Sequence, residues 1–148
     1  MDAPAAADDV AVDDMLCLAL HTAARTITAR YRPLLAELGL TYPQYLVMAL
    51  LWQDGAQSVG VLADRLALDP STLSPLLKRL EAARLVTRRR DPQDERSVVV
   101  AATARGTRLR ARAADVPGQI CDASGLSLEH QAALVRRLRR LTAALSAR

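Results

Sequence analysis

The apolar residues of this chain keep a helical spacing over most of its length, and that spacing gives way once. Leu85 to Arg90 and Ser97 to Ala102 read as two strands, joined by the turn-forming run Asp91-Pro92-Gln93-Asp94-Glu95. Segments of helical period lie on both sides. The chain is therefore expected to be mainly α, with one hairpin set among helices. Side chains alternate along a strand, so Arg88 and Arg90 share one face of the hairpin and Arg89 opposes them.

A long helix is predicted from about Asp14 to Leu38, with the apolar stripe Leu16, Leu20, Ala24, Ile27, Tyr31, Leu34, Leu38. Gly39 is placed to stop it, and Pro33 predicts a kink or break near Arg32. Thr41-Tyr42-Pro43-Gln44 has the spacing of a capping box and opens a helix to about Gln53. After the Asp54-Gly55 turn, Ser58 caps a short helix from Val59 to Ala67, with Val61, Leu62 and Leu66 inward. Asp69 is the expected N-cap of the next helix, Pro70 to about Ala83, whose buried face is Leu73, Leu76, Leu77 and Leu80. Pro75 should strain it. Beyond the hairpin, Thr103 opens a helix to about Val116, where Pro117-Gly118 disturbs it. A last helix from Ser127 carries Leu134, Val135, Leu138, Leu141 and Leu145 in a narrow seam of the kind that joins helices.

The length, 148 residues, fits one domain, and 51% apolar with 24% charged residues is a globular balance. The longest apolar run, Tyr45 to Trp52, is eight residues, against about 20 for a membrane span. The N-terminus lacks the basic-then-apolar order of a secretion signal, so no membrane partner and a cytoplasmic location are expected. Residues 1–13 read as a flexible acidic tail. Cys17 and Cys121 lack CxxC spacing and the only histidines are His21 and His130, so neither a disulfide scaffold nor a metal site is expected. No phosphate-binding loop, dinucleotide motif or nucleophile elbow is present, and the reading is that the chain is not an enzyme and carries no cofactor.

Charge is distributed unevenly. Residues 69–112 hold eleven bases and five acids, a net of +6, which suits either a polyanionic partner or a solvated surface. The order of elements decides between them. Helix, short helix, second helix and basic hairpin make a winged helix-turn-helix, a fold whose second helix enters a DNA major groove. Ser71, Thr72, Ser74 and Lys78 lie off the leucine face and can reach bases and phosphates, with Arg79 toward the backbone. The hairpin offers Arg88, Arg90 and, after the tip, Arg96, which can enter a minor groove. Each has a plainer use: Ser71 and Thr72 also help start a helix, and Arg96 can pair with Asp91 or Asp94.

Asp94-Glu95-Arg96-Ser97-Val98 resembles the wing signature of the MarR family of transcriptional regulators, and Leu73 to Glu81 resembles that family's recognition helix. The resemblance covers about residues 14–146. It implies a single domain over 14–148, with dimerisation helices at about 14–39 and 103–146 around a winged helix-turn-helix at about 43–102. It also implies a homodimer on a pseudo-palindromic, double-stranded DNA operator, as two-fold symmetry requires.

Leu16-Cys17-Leu18, Tyr31-Arg32-Pro33-Leu34-Leu35 and Leu40 to Tyr45 are similar to the organic hydroperoxide resistance regulators within that family. The resemblance implies a repressor with Cys17 as peroxide sensor, Tyr31 and Tyr42 hydrogen-bonding near its sulfur, and Cys121 forming an intersubunit disulfide that releases the operator. Cys17 and Tyr31 stand fourteen residues apart, roughly 21 Å along a continuous helix, so any contact must come from a second subunit. A thiolate is the nucleophile and the start of a helix favours an anion. His21, four residues on, lies over Cys17 at a position where some members of this branch carry an aromatic residue, usually tyrosine. An apolar surround from residues such as Leu16, Leu20 and Trp52 would favour alkyl or lipid peroxides. Read from the residues alone, Cys17 is also a small buried hydrophobe, and Tyr31 and Tyr42 are core residues. Two other inputs stay open: a small aromatic ligand with the cysteines as bystanders, and a thiol peroxidase, against which the basic wing argues.

Overall fold

The computed structural model describes residues 10–147. The chain is mainly helical with a small antiparallel sheet, as the period change predicts. After a short 3-10 turn, Val12–Asp14, come α1 (Leu16–Ala36), α2 (Tyr42–Asp54), β1 (Gln57–Ser58), α3 (Val59–Leu66) and α4 (Pro70–Ala82). Then follow β2 (Val86–Asp91), β3 (Asp94–Ala102), α5 (Ala104–Ala113), α6 (Val116–Ser124) and α7 (Leu128–Ser146). The acidic tail read over residues 1–13 lies mostly outside the described residues, and Val12–Asp14 are in the turn rather than loose.

The caps explain most of the boundaries. Thr41 accepts the Gln44 N–H while the Gln44 side chain accepts the Thr41 N–H, the two halves of a capping box. Ser58, Thr103 and Ser127 accept from Val61, Gly106 and His130 in the same way. Asp69 holds the N-cap position of α4 without a side-chain cap bond, contrary to expectation, and its backbone carbonyl accepts from Thr72 and Leu73 instead. Gly39, at φ 70°, ends the first helical stretch, and the Leu40 N–H reaches back to the Leu35 carbonyl.

Both internal prolines are absorbed. α1 runs unbroken through Pro33 to Ala36, so the break expected near Arg32 is absent. Pro75 lies inside an equally continuous α4. Each proline leaves the carbonyl four residues before it, that of Ala29 or Ser71, without its helical donor, and both of those residues are exposed.

The core lies among α1's last turns, α2, α3, α4 and the sheet. Leu35, Val47, Met48, Leu62, Leu73, Leu77, Leu80, Val86 and Val100 are fully buried. Each such side chain stabilises the fold by about 1.5–3 kcal/mol relative to exposure. The four leucines predicted for α4 are all buried. In α3 Leu62 is buried and Leu66 half-buried, but Val61 is exposed and Ala63 takes the inward place.

The sheet order is β1-β3-β2. The hairpin pairs Val86 with Ala102 through Arg90 with Val98, and Asp91 with Asp94. Glu95, Arg96 and Ser97 are therefore extra residues on β3, a bulge that re-aims the tip. β1 pairs Gln57 with Val100 and ties the start of α3 to the wing. The helix expected from Thr103 to Val116 ends at Ala113, and Pro117 sits in the first turn of a separate helix, α6.

The arms are open. No residue from Leu16 to Arg30 is buried, and none in α7. The seam residues Leu134 and Leu145 are 46% and 77% exposed. Among the described residues no helix is long and apolar enough to cross a membrane.

Candidate nucleic-acid interface and thiol site

The leucine face of α4 is fixed against the core, so its other face is presented outward. Ser71, Thr72, Lys78 and Arg79 are exposed, and Ser74 is half-buried. Ser74 lines a groove of about 480 Å³ between α3, α4 and the wing, together with Ser58, Gly60, Arg88 and Arg96. Backbone donors of the first turn of α4 add a positive end to this surface.

The wing arginines are not equivalent. Arg88 is turned inward: its Nη2 donates to Glu81 Oε1 at 3.1 Å and its backbone N–H donates to Glu81 Oε2 at 3.2 Å. One carboxylate of α4 thus holds both the main chain and the side chain of β2. The Arg88 hydrogen bond holds the Glu81 carboxyl below the usual carboxylate range, with partial desolvation opposing it. Arg88 Nε is buried without a hydrogen-bond partner, and Arg88 lines the same groove. Arg89 and Arg90 are exposed. Arg96 lies in the bulge, where its backbone N–H, not its guanidinium, bonds to Asp94 at 3.1 Å. Among the described residues only Arg65–Asp54 and Arg88–Glu81 form side-chain ion pairs, so Arg90, Arg96 and Lys78 keep their charge for a partner. Pairing between Glu81 and Arg88 crosses two elements and has no local spacing, which is why the sequence does not announce it.

The residues expected at a thiol site lie at two ends of α1 and are not brought together within this chain. Cys17 is exposed in the first turn and His21 is exposed one turn later. Leu16 and Leu20 share that end of the helix. Tyr31 is near the other end, about 21 Å away at ~1.5 Å per residue. It joins Tyr42 and Tyr45 of α2, with ring centroids 5.0 and 5.7 Å from its own. Tyr45 was not among the expected site residues, although its i+3 spacing from Tyr42 puts the two on one face. Burial, then the neighbouring Tyr45 and Tyr42, raise the Tyr31 hydroxyl above its ordinary value, and burial followed by Tyr42 raises that of Tyr45. Both remain protonated donors at neutral pH. Beside them Thr28, Arg32, Thr41 and Tyr42 line a groove of about 380 Å³. Trp52 is placed past Tyr45, its centroid 6.4 Å away, and its indole N–H donates to the Gly106 carbonyl at 2.9 Å, so it lies well away from Cys17 of its own chain.

Cys121 is half-buried on α6, and its thiol donates to Gln131 Oε1 of α7 at 3.1 Å. Its neighbour Ile120 faces Ala29 to Leu34 across a groove between α1 and α6. Ala29 is about 18 Å along the helix from Cys17, whereas a disulfide needs Cα atoms within about 7 Å. The two thiols of one chain are therefore kept apart, and both are free. Among the described residues no cluster of His, Cys, Asp and Glu could hold a metal.

The sequence model of the MarR family matches residues 40–98. The organic hydroperoxide resistance transcriptional regulator of Bacillus subtilis (strain 168) is 42% identical over 122 residues, 82% of this chain and 83% of that protein. Reduced AbfR bound to DNA superposes with a TM-score of 0.77 at 27% identity, covering 92% of this chain and 95% of that one. AbfR is a Staphylococcus epidermidis protein, and its disulfide form gives a lower TM-score, 0.59. Bordetella bronchiseptica BpsR, whose DNA binding is regulated by 6-hydroxynicotinic acid, gives 0.81 at 26% identity, covering 94% of this chain and 99% of that one. With a relative so similar along most of both chains, and a winged helix-turn-helix carrying unpaired cations on its outward face, this chain belongs to the MarR family of transcriptional regulators.

Proposed function

We propose that this regulator is a homodimeric, cytoplasmic repressor that senses organic hydroperoxides through Cys17. The observation that carries the reading is the division of the thiol site: an exposed Cys17 and the Tyr31–Tyr42–Tyr45 cluster lie on opposite ends of one unbroken helix. A second subunit, packed along the unburied faces of α1 and α7, brings Cys17 of one chain to the tyrosines of the other. Residues 14–39 and 103–146 then dimerise, and residues 43–102 of each chain read one half of a pseudo-palindromic operator through Ser71, Thr72, Ser74, Lys78, Arg79, Arg90 and Arg96. The similarity to the Bacillus hydroperoxide regulator supports the same signal.

The chemistry balances as two steps. The Cys17 thiolate attacks the terminal peroxide oxygen, the O–O bond breaks, and the alcohol leaves after taking a proton, giving a sulfenic acid. The tyrosine hydroxyls donate to the sulfur and to the departing oxygen. The Cys121 thiol of the partner subunit then attacks the sulfenic sulfur, forming the disulfide and releasing water. Cys121 must break its bond to Gln131 to do so, which couples oxidation to movement of α6 against α7.

A non-reducing gel with intact mass tests this, before and after a stoichiometric dose of an organic hydroperoxide. A covalent dimer that requires both Cys17 and Cys121, with loss of operator binding, is expected; unmodified thiols would overturn the reading. The likeness to BpsR favours a second reading, release by a small aromatic ligand. Under that reading a variant lacking both cysteines still releases DNA when the ligand is added.

A further inference from the structure

Trp52 is the chain's only tryptophan. Tyr42, Tyr31, Tyr45 and Trp52 form a continuous run of rings, with successive centroids 5.0, 5.7 and 6.4 Å apart. At the end of the run the indole N–H donates to the Gly106 carbonyl at 2.9 Å, and Arg110 Nη1 donates to the Trp52 carbonyl at 3.0 Å, so α2 is tied to α5 at its first and its last turn. Gly106 in turn lies directly on the main chain where α4 becomes the wing. A Cβ on it would stand 2.1 Å from the Leu85 carbonyl oxygen and 3.0 Å from the Met48 methyl. That same oxygen accepts the Thr103 N–H at 3.0 Å, and the Thr103 hydroxyl donates to the Arg84 carbonyl at 2.6 Å. Arg84 has φ 61°, a left-handed turn that joins recognition helix to wing. The atom nearest to such a Cβ is main chain of this turn, the Leu85 carbonyl oxygen, rather than the end of a side chain.

We infer that Trp52 is a positioning residue for DNA binding: its indole N–H transmits the state of the tyrosine cluster, through Gly106, to the junction of α4 and β2. A shift of Tyr31 displaces Tyr45 and the indole, the first turn of α5 follows its carbonyl, and the Arg84–Leu85 turn moves with it. The recognition helix ends at that turn and the wing begins there, so a small rotation at the turn changes how both meet DNA. The inference rests on the hydroperoxide reading for the nature of the signal and on geometry for the route. Coupling of this kind is reciprocal, so operator binding acts back on the indole.

The test is a double-mutant cycle of Tyr31→Ala and Trp52→Phe. It is read as affinity of the reduced protein for a duplex operator selected from a random library, with melting temperatures recorded for every variant. Trp52→Phe keeps an aromatic ring and deletes the donor. Tyr31→Ala should change operator affinity by about fivefold or more in the parent and by less than about twofold in Trp52→Phe. An equal factor in both backgrounds, or no effect in the parent, would overturn the inference. A purely structural Trp52 lowers melting temperature and leaves the two factors equal. Should Trp52→Phe fail to fold, emission of the native indole decides: it shifts on adding operator and on Tyr31→Ala if the route is correct, and is indifferent to both if it is not. A dose of cumene hydroperoxide separates the two proposals. If it produces no covalent dimer in the parent, the hydroperoxide reading fails while the cycle still decides the role of Trp52.

Discussion

The winged half of the molecule and its helical arms treat their leucines in opposite ways. Between Leu35 and Val100 the leucines of α3 and α4 are packed, with Leu62, Leu73 and Leu80 at 0% exposure. Leu16 of α1 and Leu145 of α7 are 60% and 77% exposed. Both sets show helical spacing, so periodicity alone does not say which partner a stripe will find. The winged half is completed by its own chain. The arms leave apolar side chains such as Leu16, Leu134 and Leu145 uncovered, and this is the face on which the proposed second subunit would pack. A division of this kind suits the proposed switch, in which the winged half stays folded while a dimer interface sets its placement.

Removing a packed leucine gives the largest effect expected. Leu77→Ala should cost about 2–5 kcal/mol of stability, read by thermal or denaturant unfolding, because the buried site between α4 and the sheet cannot collapse around the missing atoms. The same chemistry on the arm acts differently. Leu138→Asp should leave the helical circular dichroism of the winged half largely intact, halve the mass seen by light scattering, and weaken operator binding by about a hundredfold or more as paired half-site contact is lost. An unchanged mass would show that α7 does not form the interface.

What could be read in advance follows the same boundary. α2 was legible because Thr41 and Gln44 form a local, self-contained device, and α4 because four leucines at helical spacing meet a core. α6 was missed because Pro117-Gly118 read as a disturbance, whereas a proline in a first turn costs a helix nothing. β1 is two residues long, too short to show any period. The wing arginines looked alike in a run of three; only the fold shows that Arg88 is spent on Glu81 while Arg90 faces outward. At the thiol site the cysteine and tyrosines were visible as residues. That one chain separates Cys17 from Tyr31 was visible too, from helix rise alone. Trp52 read as one more apolar residue, since its bond to Gly106 joins segments distant in sequence.

The smallest effects expected are those of pH, and they sharpen the comparison by assigning each end of the scale to a different region. In the winged half the Arg88 hydrogen bond lowers the Glu81 carboxyl from 4.5. A carboxylate lowered on folding contributes stability that is present above its unfolded value and is lost as pH falls through the folded one. Glu81→Gln should therefore melt below the parent near neutral pH, with the gap closing in acid, at and below about pH 4.5. Both groups are partly exposed, so the shift is small and shrinks with added salt. At the contact between α1 and α2 the sign reverses. Tyr31 and Tyr45 are raised above 10.0 by burial first. Their contribution is present below the unfolded value and is lost as pH rises through the folded values, so the fold weakens in alkali and Tyr31→Phe should blunt that loss. An alkaline transition that leaves the Trp52 emission unaltered would place the weak point away from the tyrosine cluster, and an acid transition unaffected by Glu81→Gln would place it away from the wing.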